Sequence, residues 1–109
     1  MPDTIIYNAA IGVCEKSGQW QRALQLVGEM QGTGVPADTM TYSAAITACD
    51  KGGQWQRALQ LLEDMQSKGA QADIITFNAA IGACEKDGQW QRVLQLMKDM
   101  RSQGVPADT

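Results

Sequence analysis

The sequence predicts an all-α fold, an α-α superhelix (solenoid) of three helix-turn-helix hairpins. Two observations carry this. First, the chain of 109 residues repeats itself every 35 residues, over 4–38, 39–73 and 74–108, with Gly-Gln-Trp-Gln-Arg at the same place in each unit. A fixed period of this size marks supersecondary units that cannot bury an apolar face alone and must stack on their neighbours. Second, apolar residues recur inside each unit with helical spacing, in two runs separated by a glycine break. No strand is expected.

In the first unit Tyr7, Ala10, Ile11 and Cys14 stand at i, i+3, i+4 and i+7, the spacing of one buried helical face, and the run ends at Ser17-Gly18. A second run follows. Trp20, Ala23, Leu24, Leu26, Val27 and Met30 fall within an arc of roughly 160°, with Gln21, Arg22, Gln25 and Glu29 opposite. Gly34 stops this second helix, Val35-Pro36-Ala37 connect, and Asp38-Thr39 offer an N-cap to the next unit. The same punctuation returns at Gly69 with Asp73 and at Gly104 with Asp108. Connections this short force antiparallel neighbours. Trp20, Trp55 and Trp90 open each second helix on its apolar side and read as core packing rather than base-stacking platforms. Arg22, Arg57 and Arg92 fall on the opposite side and read as a solvated face.

The length suits one domain, residues 1–109, with a thin continuous core. There is no run apolar enough to span a membrane. The first twenty residues include Asp3 and Glu15 and lack Arg, so they read as the start of a repeat and any targeting signal is expected elsewhere. Cys14, Cys49 and Cys84 recur once per unit on the buried face, and with no His in the chain they match no zinc pattern. Nothing resembles a nucleophile elbow, a phosphate-binding glycine loop or a metal-ligand cluster, so neither catalysis nor a cofactor is expected. Nine Lys and Arg against twelve Asp and Glu leave a net charge of −3, which argues against tight non-specific binding to nucleic acid.

The other face of the first helix is not explained by packing within its own hairpin. Ile5, Asn8, Ala9, Gly12 and Lys16 form a second stripe, repeated as Met40, Ser43, Ala44, Thr47 and Lys51 and again as Ile75, Asn78, Ala79, Gly82 and Lys86. An apolar group, a short hydrogen-bonding group, small spacers and a Lys suit a linear polymer with flat faces, polar edges and regular negative charge. Single-stranded nucleic acid is such a polymer. The same stripe is also what close approach of neighbouring first helices requires, with Lys solvated at a helix C-terminus where the dipole favours a cation. Spacing alone leaves both open.

The period and the strings Tyr7-Asn8-Ala9-Ala10-Ile11, Cys14-Glu15-Lys16, Arg22-Ala23-Leu24, Met30 and Gly34-Val35-Pro36-Ala37-Asp38 resemble the pentatricopeptide repeat family over essentially the whole chain. The resemblance implies sequence-specific binding of single-stranded RNA, one base per repeat, in a chloroplast or mitochondrion, with a role in RNA processing, stability or translation. By similarity, base reading falls to Asn8 with Asp38, Ser43 with Asp73, and Asn78 with Asp108. Asn with Asp implies uracil and a small hydroxyl residue with Asp implies guanine, so the expected site is U-G-U, read parallel from the 5′ end. Ile5, Met40 and Ile75 would wedge between bases, and Lys16, Lys51 and Lys86 would face phosphates.

The second unit departs from its siblings in carrying Gln71 where they have Pro36 and Pro106. No terminal capping helix follows, so the chain reads as a fragment of a longer array whose last apolar face, with Trp90, Leu94 and Met97, favours self-association. RNA-processing proteins are further expected partners, and a membrane is not. Two rival functions remain: a peptide-binding scaffold, whose groove would be expected to vary between repeats, and a structural spacer indifferent to groove substitutions.

Overall fold

The computed structural model describes residues 3–105. Among them are six α-helices, α1 (Thr4–Lys16), α2 (Trp20–Thr33), α3 (Thr39–Lys51), α4 (Trp55–Ser67), α5 (Ile74–Lys86) and α6 (Trp90–Ser102). Each odd-numbered helix is capped by an aspartate in extended conformation. Asp3, Asp38 and Asp73 accept hydrogen bonds from the backbone N–H groups of Ile6, Thr41 and Thr76, satisfying amides that a helix start leaves without partners. In α3 the cap is reciprocal, because the Asp38 N–H donates to the Thr41 hydroxyl at 3.1 Å.

The turn inside each hairpin depends on glycine. Gly18, Gly53 and Gly88 have φ of +72°, +68° and +71°, a left-handed conformation that costs glycine little. It lets the next amide reach back over the helix end, from Gln19 to the Cys14 carbonyl at 2.8 Å and from Gln54 to that of Cys49 at 2.8 Å. The hairpin is closed at its other end by a threonine. Thr4 Oγ1 donates to the Pro36 carbonyl and Thr39 Oγ1 to that of Gln71, at 2.5 and 2.8 Å. The acceptor is a backbone carbonyl, so the exchange of proline for Gln71 leaves this closure intact.

The helices form two layers. α1, α3 and α5 lie side by side, α2 and α4 each lean on the first helix of their own hairpin and on that of the next, and α2 and α4 make no close backbone approach. The assembly measures 41 × 26 × 21 Å. Its core runs between the layers, with Ile11, Met30, Tyr42, Ile46, Met65 and Phe77 fully buried. All three cysteines are free thiols inside this core. Burial pushes the Cys49 thiol up to about 11, against a small opposing pull from Arg57, which suits an inert core group.

Candidate nucleic-acid interface

The outer face of the α1, α3, α5 layer carries the repeated stripe. Ile5, Met40 and Ile75 are 77%, 66% and 61% exposed, an unusual state for large aliphatic side chains that recurs at one position per hairpin. Lys16, Lys51 and Lys86 end the same helices and are exposed. Between them the small residues admit a close neighbour: a Cβ at Gly82 would lie 3.1 Å from Asp50 Oδ1. The stripe therefore combines tight helix approach with an open row of apolar and polar groups, and the two readings of its spacing are not exclusive.

In the first repeat the expected reading pair is brought together. Asn8, on α1, donates from Nδ2 to Asp38 Oδ1 at 3.1 Å, and its Oδ1 accepts from Thr41 Oγ1 at 2.5 Å. Thr41 also donates its backbone N–H to Asp38 Oδ1 at 3.0 Å, and its hydroxyl oxygen lies 2.9 Å from that same carboxylate oxygen. One hydroxyl proton serves both neighbours, and the shorter contact is to Asn8. Burial raises the Asp38 carboxyl, but hydrogen bonds from the Thr41 N–H, the Asn8 amide, the Thr41 side chain and its own backbone N–H leave it below its ordinary 3.8.

The second repeat differs. Asp73 Oδ1 accepts from the Thr76 hydroxyl at 2.7 Å and from its N–H at 3.0 Å, and Ser43, too short to bridge, makes no hydrogen bond to Asp73. In the third repeat Asn78 is exposed, and Asp108 lies outside the described residues. Thr41 and Thr76 are both fully buried and are not anticipated from the sequence. The available signal was Thr at the third position of repeats two and three, three residues after a capping Asp.

Two further inter-repeat contacts are also unanticipated. Lys51 pairs with Glu15 at 2.5 Å, and Lys86 lies 3.1 Å from Asp50 Oδ1 while donating to the Asp50 backbone carbonyl, so two of the three stripe lysines hold a carboxylate of the preceding repeat. Lys16 has no ion pair among the described residues. The arginines correct the expectation of a merely solvated face: Arg57 lies 5.3 Å from the centroid of the Trp20 ring and Arg92 5.6 Å from that of Trp55. A helical wheel places Arg opposite Trp within one helix, but the ring it meets belongs to the preceding repeat. Trp90 is 66% exposed, on the end face expected for it with Leu94 and Met97 rather than in the core, whereas Trp20 and Trp55 are half-buried.

A shallow indentation lies between α4 and α6, lined by Leu59, Leu62 and Arg92 among others, away from the stripe. Among the described residues no group of three or more His, Cys, Asp and Glu could hold a metal, and no helix is long and apolar enough to cross a membrane. The geometry offered is an open, linear, periodically polar surface.

Residues 2–51 match the PPR repeat family, residues 40–69 the PPR repeat, and residues 60–106 the pentatricopeptide repeat domain. The chain belongs to the pentatricopeptide repeat family. No curated protein matches it. Among solved structures it is similar to the pentatricopeptide repeat protein PPR10 from maize, at 29% identity and a TM-score of 0.86, covering 99% of this chain and 16% of that one. It is also similar to PPR10 in complex with an 18-nt psaJ RNA element, at 26% identity and a TM-score of 0.85, again covering 99% and 16%. This chain thus spans a small part of the length of the structures it matches.

Proposed function

We propose that residues 1–109 act as one array of three repeats, 4–38, 39–73 and 74–108, that binds single-stranded RNA one base per repeat and prefers U-G-U. The observation that carries this is the Asn8, Asp38 and Thr41 cluster beside the exposed row of Ile5, Met40 and Ile75. With one N–H committed to Asp38 and one lone pair to Thr41, the Asn8 amide keeps one N–H and one lone pair for a ligand, which matches the N3–H and a carbonyl oxygen of uracil. Ser43 leaves a wider space and a free hydroxyl, which suits a purine.

The wedge role has a geometric basis. Neighbouring packed helices stand about 8–10 Å apart, whereas stacked bases stand ~3.4 Å apart. One base per repeat thus separates successive bases and leaves room for an aliphatic side chain between them. Asn78 with Asp108 would read the third base, and Lys16, Lys51 and Lys86 would meet the phosphates. An organellar role in RNA processing, with recruited protein partners, rests on the family alone.

The experiment is Ser43→Asn, measured by competition between U-G-U and U-U-U sites embedded in the same unstructured RNA. The substitution should move relative affinity toward U-U-U by about fivefold or more, the scale of one base contact. Equal preference in both proteins would favour the peptide scaffold instead. A second expectation concerns the end face: Trp90, Leu94 and Met97 are 66%, 56% and 41% exposed and adjacent on α6. The 109-residue polypeptide alone should therefore self-associate, checked as a sedimentation weight that rises with concentration.

A further inference from the structure

Uracil and cytosine differ, on the edge a protein reads, by an exchange of donor and acceptor at positions 3 and 4. Uracil offers N3–H and O4, and cytosine offers a bare N3 and an N4 amino group. An asparagine amide presents one donor and one acceptor side by side, so a half-turn about its last bond converts a group that fits uracil into one that fits cytosine. An asparagine free to turn would accept either pyrimidine. Discrimination needs something that fixes the amide.

Two groups hold the Asn8 amide, one on each side. The Asp38 carboxylate can only accept, so it takes Nδ2, at 3.1 Å. On the other side stands the Thr41 hydroxyl, 2.5 Å from Asn8 Oδ1. Thr41 is fully buried at the start of α3. Its own position is fixed by the reciprocal cap, in which its N–H donates to Asp38 at 3.0 Å and its oxygen accepts the Asp38 N–H at 3.1 Å. A turned amide would set its oxygen against the carboxylate with no proton between them, and would give up the 2.5 Å contact to Thr41, whose hydroxyl would be left with Asp38 Oδ1, at 2.9 Å, as its acceptor.

We infer that Thr41 is a specificity-determining positioning residue: it reads no base itself, but by donating to Asn8 Oδ1 from the next repeat it fixes the amide in the orientation that takes uracil and refuses cytosine. The first base is then read across a repeat junction by Asn8 and Asp38, with Thr41 holding the amide from the first turn of the following hairpin. Thr76 stands ready for the same task in repeat two. With no amide at Ser43 to hold, its hydroxyl rests on Asp73 at 2.7 Å. The inference rests on the base-reading role proposed above.

The test is Thr41→Val, which keeps the shape of the side chain and removes the hydroxyl, with Thr41→Ser restoring it. Affinities for U-G-U and C-G-U in one unstructured RNA would be measured for the 109-residue protein at low salt. Wild type and Thr41→Ser should prefer U-G-U by about fivefold or more. Thr41→Val should cut that ratio at least about threefold while leaving the guanine-over-adenine preference at the second base unchanged, which mere loosening of the fold would not do. Should Thr41→Val fail to fold, repeat two asks the same question: Ser43→Asn should prefer U-U-U over U-C-U, and adding Thr76→Val should remove most of that preference. A wild-type protein indifferent to U-G-U against C-G-U would overturn the base-reading proposal and this one with it. A wild type that prefers U-G-U, and keeps its full preference without the Thr41 hydroxyl, would overturn the positioning role alone.

Discussion

At the scale of single residues, the three repeats perform a natural substitution series on one buried hydroxyl. Tyr7 donates to Glu29 Oε2 at 3.1 Å, but one period later Asp64 stands in place of Glu29, a methylene shorter. The Tyr42 hydroxyl is left buried without a partner, and the third repeat carries Phe77 at that position. An unpaired buried hydroxyl costs about 1–3 kcal/mol of desolvation, whereas a paired one contributes about 0.5–1.5 kcal/mol. Tyr42→Phe should therefore be neutral or stabilising, Tyr7→Phe should destabilise by about 1 kcal/mol, and Asp64→Glu should recover the Tyr42 contact. Urea unfolding of the three variants checks all of these, and a larger loss for Tyr42→Phe than for Tyr7→Phe would contradict them.

At the scale of elements, each second helix is joined to its successor by an arginine lying over a tryptophan. At the first junction the Trp20 ring also packs against the turn that follows α3, where a Cβ on Gly52 would fall 2.2 Å from it. A cation over an indole face is worth about 0.5–1 kcal/mol at an exposed site. Arg57→Gln should cost about that much and change the indole signal of Trp20 in an NMR spectrum, and Arg22→Gln should do neither, since Arg22 lies over no ring among the described residues. Equal costs for the two would mean that helix propensity, not stacking, is being measured.

The helices themselves, their glycine stops and their aspartate caps were legible in the sequence because each is set by residues within a few positions of one another. So was the stripe with Ile5, Asn8 and Lys16, since it is a single helical face. The partners of that stripe were not legible. Thr41 meets Asn8, Lys51 meets Glu15 and Arg57 meets Trp20 across roughly one full repeat, and a helical wheel contains no information about what stands beside it. The same blindness made the arginines look merely solvated.

At the scale of the whole molecule, a chain of net charge −3 is proposed to hold a polyanion, so the few groove cations decide the response to salt. If Lys16, Lys51 and Lys86 all meet phosphates, at about 0.7 of a unit each on a single strand, log affinity should fall against log salt with a slope near about −2. Replacing all three with Gln should flatten it. Because Glu15 occupies Lys51, Glu15→Gln should tighten RNA binding about threefold at low salt and lose that advantage at high salt, as expected of an exposed pair. Titration at several salt concentrations tests both, and a slope indifferent to the triple substitution would move the phosphate contacts elsewhere.

The absence of close backbone approach between α2 and α4 has a mechanical consequence. The α1, α3, α5 layer is continuous and behaves like the spine of a fan, while the outer helices are its separate ribs, linked to one another by side chains such as Arg57 over Trp20. A small rotation at each junction spreads or gathers the ribs without breaking a helix, and identical small rotations accumulate along a series of repeats. Such an array is soft to winding and stretching along its length and stiff within each hairpin. Its pitch can follow the rise of the strand it is proposed to hold.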